Sequence, residues 1–268
     1  MKKIKVALLC YRYQNTVEQN MQKISSLLEK TSDAHIAVLP EDAPDPDGHY
    51  SEVIPGKFTT WLQEKARAHS LHIVGNFTER EDDKFFDTCV VTDRKGRLVG
   101  TYRKVQLSPS DRSTRKLSRG METPIFILDG IPLGVPVCYD MWYPEIIRHM
   151  VFRGAKLILA PFKEELEYLP YVRSLTRARA IENIICIACC GGGGYSQKFN
   201  LSYKNFGIFV LPSGKIAKEE TQKEHVEFHF SPLDELIEKE KSRKNWERPF
   251  NRVVDFSQKI QIDKERSL

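Results

Sequence analysis

A layered α/β domain, with helices on the faces of a mixed sheet, is the fold class this sequence predicts. Short apolar runs of strand length alternate with segments whose apolar residues recur at helical spacing. Turn signals such as Asp93-Arg94-Lys95-Gly96 and Pro212-Ser213-Gly214 intersperse hairpins, so the sheet is not purely parallel. The 268 residues, 41% hydrophobic and 29% charged, are ordinary for a soluble globular chain and long enough for a full core.

Residues 4–9 form a short apolar run bounded by polar residues, and predict the first strand. Val17, Met21, Ile24, Leu27 and Leu28 then recur at helical spacing, which predicts a helix over about residues 16–30. Residues 36–39 predict a second strand, ended by Pro40. The proline- and acid-rich stretch 41–56 reads as a loop. Trp61, Leu62 and Ala66 share one face of a helix over 58–70, and 71–77 is a third strand. Strands 86–91 and 98–102 flank the turn at Asp93-Arg94-Lys95-Gly96.

Residues 106–123 show little periodicity and many basic and hydroxyl side chains, and predict a surface loop. Strands 125–128 and 133–137 surround Asp129-Gly130. Pro144 suits the first turn of a helix over 144–153. A strand at 156–159, a helix at 171–183 and an apolar strand at 184–190 follow, and glycines 191–194 interrupt the pattern. Strands 206–211 and 215–217 make a hairpin, and 225–230 is the last strand. Residues 231–268 are charge-rich without a strong apolar stripe, so a helix and an extended tail complete a single domain over 1–268.

The balance of 41 basic and 36 acidic residues leaves a net charge of +5, with the two signs interspersed and no aromatic–basic motif. That argues against a nucleic-acid partner. No apolar run reaches the roughly 18 residues of a membrane helix, and the start of the chain lacks a signal-like apolar region. Six cysteines are too few for a disulfide scaffold, so a reduced, cytoplasmic compartment is expected. Cys186, Cys189 and Cys190 have no second Cys/His pair nearby, and neither metal nor cofactor is expected.

Three strand ends carry reactive side chains. Cys138 stands in Val137-Cys138-Tyr139-Asp140, between an apolar strand and a helix, where a helix N-terminus favours the thiolate. Glu41 follows Leu39-Pro40, and Lys104 follows the strand ending at Tyr102-Arg103. Together they offer a nucleophile, a base for its proton and a cation for a developing oxyanion.

With these pieces in order, the chain resembles the nitrilase, or carbon–nitrogen hydrolase, superfamily. The matching segments are Val38-Leu39-Pro40-Glu41, Ile54-Pro55-Gly56, Phe86-Asp87-Thr88, Tyr102-Arg103-Lys104-Val105-Gln106-Leu107, Val137-Cys138-Tyr139-Asp140-Met141-Trp142-Tyr143-Pro144-Glu145, Arg179-Ala180-Ile181-Glu182-Asn183 and Pro212-Ser213-Gly214. The resemblance implies a four-layer α-β-β-α sandwich with mixed sheets, and a homodimer or larger homo-oligomer built through the Cys-bearing face. It implies a triad of Glu41, Lys104 and Cys138, with the Tyr139 backbone N–H as second oxyanion donor. The Cys-Tyr-Asp context resembles the amidase and carbamoylase branches, which implies cleavage of a small amide or N-carbamoyl compound.

One departure carries an expectation. Many members have a further Glu about seven residues before a glycine in the loop after the Lys. Alignment on Gly120 puts Ser113 in that place, facing the pocket. The missing carboxylate leaves open an alternative reading, a catalytically impaired binding or scaffold protein on the same fold. Arg112, Arg115, Lys116 and Arg119 in this loop suit either recognition of an acidic substrate or a solvated surface.

Overall fold

A computed structural model describes residues 3–31 and 33–244. β1 (Ile4–Leu8) shows why the domain is layered. Ile4, Val6 and Leu8 enter one core, while Ala7, and Leu9 just beyond the strand, enter another. A strand's period of two sends neighbours to opposite faces, so apolar groups on both faces require a cover on each side. One cover is the pair of helices α1 (Val17–Leu28) and α2 (Lys57–Ala68), through Met21, Ile24, Leu27, Leu28, Phe58 and Leu62. The other cover is a second sheet.

The first sheet contains β1, β2 (Ile36–Val38), β3 (His72–Glu81), β4 (Lys84–Thr92) and β5 (Leu98–Arg103) in that order. After the short α3 (Pro109–Ser113), β6 (Phe126–Leu128) and β7 (Ile131–Gly134) begin the second sheet. It continues through α4 (Pro144–Phe152), β8 (Leu157–Lys163), α5 (Leu169–Asn183) and β9 (Cys186–Gly192). A small hairpin of β10 (Gly194–Ser196) and β11 (Leu201–Tyr203) precedes β12 (Phe206–Val210) and β13 (Ile216–Glu220). β14 (Val226–Phe230) returns to the first sheet beside β1, and α6 (Leu233–Lys244) follows. The second sheet has the order β13-β12-β9-β8-β7-β6. Residues of α4 and α5 pack into its core, which completes an α-β-β-α sandwich.

Strand direction decides where the loops meet. β1, β2 and β3 are mutually parallel, and so are β7, β8 and β9. Two antiparallel steps from β3 through β4 return β5 to the direction of β2. The chain therefore leaves β2 and β5 at one edge of the first sheet. It leaves β7 and β8 together at one edge of the second, and the Glu41 N–H donates to Phe162 O at 3.2 Å across the gap. Ligand crevices of open α/β sheets form at such carboxyl ends.

Several elements differ from the sequence reading. β3 and β4 run well past residue 77 into a long hairpin. Its polar end is held by pairing, with Glu79 on Arg103 at 2.6 Å. β9 extends through Gly192, because Gly191 packs closely against Phe206 of the paired strand and needs no side chain there. The irregular loop after β5 contains α3, capped reciprocally by Ser108 and Asp111. The expected helix after residue 231 is present as α6, whereas the expected tail at 245–268 lies outside the described residues.

Among the described residues no helix is long and apolar enough to cross a membrane. Cys186, Cys189 and Cys190 are core side chains, with Cys189 against the Thr176 hydroxyl at 3.4 Å and Cys190 against Val38 O at 3.2 Å.

Candidate active site

Cys138 opens a single 3-10 turn, Cys138–Trp142, in the left-handed region at φ +42°. A non-glycine residue there is strained, and persists only where its surroundings hold it. Asp140 does much of the holding. Its carboxylate accepts the Val137 N–H at 2.9 Å, the Gln106 N–H at 2.7 Å and the Tyr102 hydroxyl at 2.6 Å. Burial nevertheless lifts the Asp140 pKa to about 6.

The Cys138 side chain is buried, with Sγ 3.8 Å from Lys163 O. Burial pushes its thiol well above the usual range, and the charges of Glu41 and Glu164 push the same way against Lys104. Burial and these two carboxylates oppose the thiolate that the helix N-terminus favours. One 3-10 turn is too short a dipole to offset desolvation and two carboxylates.

Lys104 reaches the same space from the end of β5. Its ammonium contacts Glu41 Oε1 at 2.7 Å, Asp111 Oδ2 at 2.9 Å and Asp87 Oδ2 at 3.1 Å, and the residue is 2% exposed. The backbone is clamped too. The Lys104 N–H donates to Asp87 O, and the Gly120 N–H donates to Lys104 O, both at 2.8 Å. A Cβ on Gly120 would stand 2.0 Å from Arg103 O, so this close approach requires glycine. Burial disfavours the Lys104 charge, but Asp111, Glu41 and Asp87 outweigh it and hold the ammonium well above its ordinary range. For Glu41 burial wins over the Lys104 charge, and the carboxyl is pushed up to about 8.

A second ring supports this pair. Arg115 is buried against Asp42 at 2.7 Å, Thr78 Oγ1 at 2.9 Å and Asp111 at 3.2 Å. Lys163, the last residue of β8, pairs with Asp42 and donates to Pro46 O at 2.9 Å. Asn76 donates to Asp87 Oδ1 at 2.7 Å and accepts the Asp42 N–H at 2.6 Å. Sequence reasoning assigned no site role to Asp42, Asn76, Asp87 or Lys163. A usable signal existed for Asp87, an acid within a strand whose neighbours are buried.

Glu41, Lys104 and Cys138 thus converge, and Tyr139 lies beside them with its ring 5.6 Å from that of Tyr143. Ser113 does not join them. It is exposed, and its hydroxyl donates to Pro109 O at 2.8 Å. Asp111 occupies the place beside Lys104, so the expectation of a pocket-facing Ser113 is corrected. The cause is helical geometry. Two residues along α3 are separated by roughly 200° about the axis, so turning Asp111 inward turns Ser113 outward. Ser113→Ala and Ser113→Glu are expected to change stability by no more than about 0.5 kcal/mol. Urea unfolding and steady-state turnover should match the parent protein in both.

The carbon–nitrogen hydrolase family model matches residues 5–227. The chain is 28% identical over 222 residues to the 2-oxoglutaramate amidase of Bacillus subtilis, covering 78% of this chain and 82% of that one. It is 27% identical over 256 residues to the omega-amidase of Homo sapiens, covering 89% and 92%. The crystal structure of a carbon–nitrogen hydrolase from Helicobacter pylori superposes with a TM-score of 0.82 at 19% identity, covering 96% of this chain and 97% of that one. The family match spans both sheets and every residue of the Cys138 site, and the chain belongs to the carbon–nitrogen hydrolase family.

Proposed function

We propose that the protein hydrolyses a non-peptide C–N bond of a small amide or N-carbamoyl compound through a thioester on Cys138. The observation that carries this reading is the buried Lys104 ammonium bound to Glu41 beside the Cys138 thiol. The amidase names of the relatives support the reaction class.

Ionised Glu41 takes the thiol proton as Cys138 Sγ attacks the substrate carbonyl carbon. Lys104 and the Tyr139 N–H receive the oxyanion. Protonated Glu41 returns its proton to the departing ammonia or amine. Water, deprotonated by Glu41, then cleaves the thioester and frees the thiol. Asp111 and Asp87 keep Lys104 charged and aimed. The binding-scaffold alternative rested on a missing carboxylate, and Asp111 supplies one. The chemistry calls for no cofactor or metal. A homodimer through the Cys-bearing face and a cytoplasmic location belong to the same proposal. Exposed Tyr171, packed on Trp142 of the Cys138 turn, and six unpaired cysteines support them.

The base must be ionised, and burial raises Glu41, so kcat/KM should climb with pH through about 8. Glu41 and Cys138 exchange one proton, so this acid limb belongs to the pair. Lys104, held high, adds no falling limb in the neutral range. A pH–rate profile of ammonia release tests this. A plateau already complete at pH 6 contradicts Glu41 as a burial-raised base.

A further inference from the structure

Lys104 and Cys138 are mounted on different sheets. Lys104 follows β5 of the first sheet, and its backbone is clamped there by Asp87 O and the Gly120 N–H. Cys138 follows β7 of the second sheet, in a turn whose left-handed φ of +42° persists only with outside support. A sulfur that adds to a carbonyl and an ammonium that catches its oxygen must meet one substrate group in a fixed geometry. Contacts between the two mounts therefore set the relative placement of these two groups.

Asp140 makes such contacts on both sides. It stands two residues after Cys138 and is fully buried. Its Oδ2 accepts the Val137 N–H at 2.9 Å, which closes the turn around the nucleophile. The same oxygen accepts the Tyr102 hydroxyl at 2.6 Å, and Oδ1 accepts the Gln106 N–H at 2.7 Å. Tyr102 and Gln106 stand two residues before and two residues after Lys104. One carboxylate thus holds the Cys138 turn and both flanks of Lys104, and Tyr139 lies inside the same bracket. The site needs a group that only accepts. An asparagine amide, turned either way, aims its NH2 at one of these donors, and an apolar side chain leaves all three unpaired.

We propose that Asp140 is a positioning residue that registers the Cys138 sulfur and the Tyr139 N–H against the Lys104 ammonium, so that the oxyanion is caught as the sulfur adds. The proposal rests on the amidase reading and deepens it. Asp140 itself touches no substrate and undergoes no covalent change; it acts through the three donors it holds.

The test compares Tyr102→Phe and Asp140→Asn with the parent in the full chain, by three readouts. Ammonia release from a short aliphatic amide, per Cys138 titrated with iodoacetamide, gives kcat and KM. The rate of that alkylation, in which sulfur bonds to carbon and iodide leaves, reports a step that develops no oxyanion. Butanal adds the Cys138 S–H across its C=O, so a new Sγ–C bond leaves an oxygen at the oxyanion position without turnover. Its affinity is read as protection against iodoacetamide. Tyr102→Phe is expected to lower kcat and butanal affinity together by roughly 10-fold, the worth of one bond to a charged group. Asp140→Asn should lower both by roughly 100-fold, the scale of a misplaced reacting group. KM, and in Tyr102→Phe the alkylation rate, should stay near the parent values. Unchanged kcat and butanal affinity in Tyr102→Phe overturn the proposal. So does an alkylation rate that falls as far as kcat, because a merely structural loss moves both. Should Asp140→Asn fail to fold, Tyr102→Phe decides alone. A parent that hydrolyses no amide but is protected by butanal overturns the amidase reading only, and the butanal affinities of the variants then decide on Asp140. Neither turnover nor protection in the parent overturns both.

Discussion

Cys138→Ala is expected to abolish amide turnover, by roughly 10⁴-fold or more, while leaving the protein folded. Losing the nucleophile removes the covalent route altogether, and such losses are among the largest seen in enzymes. The structural cost is small because one sulfur atom is removed from a turn held by Asp140, not by the thiol. Stability should change by about 1 kcal/mol or less. The left-handed φ supplies an internal control, since alanine keeps the strain of +42° and glycine relieves it. Cys138→Gly should therefore be as inactive as Cys138→Ala, yet unfold at a higher urea concentration. Normal ammonia release from Cys138→Ala would remove the nucleophile assignment.

Lys104→Ala is expected to damage both activity and stability. Loss of an oxyanion donor lowers turnover by a factor of roughly 100 or more. The same substitution strands Glu41, Asp87 and Asp111 without their shared ammonium in a buried site. Breaking a buried pair from one side costs about 3–5 kcal/mol, less whatever Arg115 recovers through Asp111. The pH dependence carries a definite sign. Burial raises the Asp111 carboxyl, but Lys104 and Arg115 outweigh it and hold it well below its ordinary range. A depressed carboxylate stabilises the fold above its unfolded pKa of about 4, and that contribution fades as pH falls toward the folded value. The stability deficit of Lys104→Ala should therefore be largest near pH 7 and shrink on acidification. Urea unfolding at pH 7 and pH 4 measures it. A variant as stable as the parent at pH 7 would show that Lys104 does not balance these acids.

The legibility of the site varied with the range of the interactions that build it. Glu41, Lys104 and Cys138 stand at the ends of apolar strands, and a reactive side chain in that place is visible in a linear chain. Asp111 is not legible there, because no periodic signal reveals the one-and-a-half turns of α3 that aim it inward. Arg115 read as one basic residue in a basic loop, yet its partner Asp42 lies 73 positions away. Lys163 finds Asp42 across 121 positions.

By itself the sequence determined the layered α/β class, most strand and helix positions, the residues of the candidate triad and the family they resemble. These follow from hydrophobic period, turn chemistry and strand-end placement, all of which act within a few residues. Tertiary structure alone decided the burial that raises Cys138 and Glu41, the outward turn of Ser113 and the inward turn of Asp111. It also decided which acids share Lys104. Those properties depend on desolvation and on charges brought together from distant segments, and neither exists until the two sheets close over the strand ends.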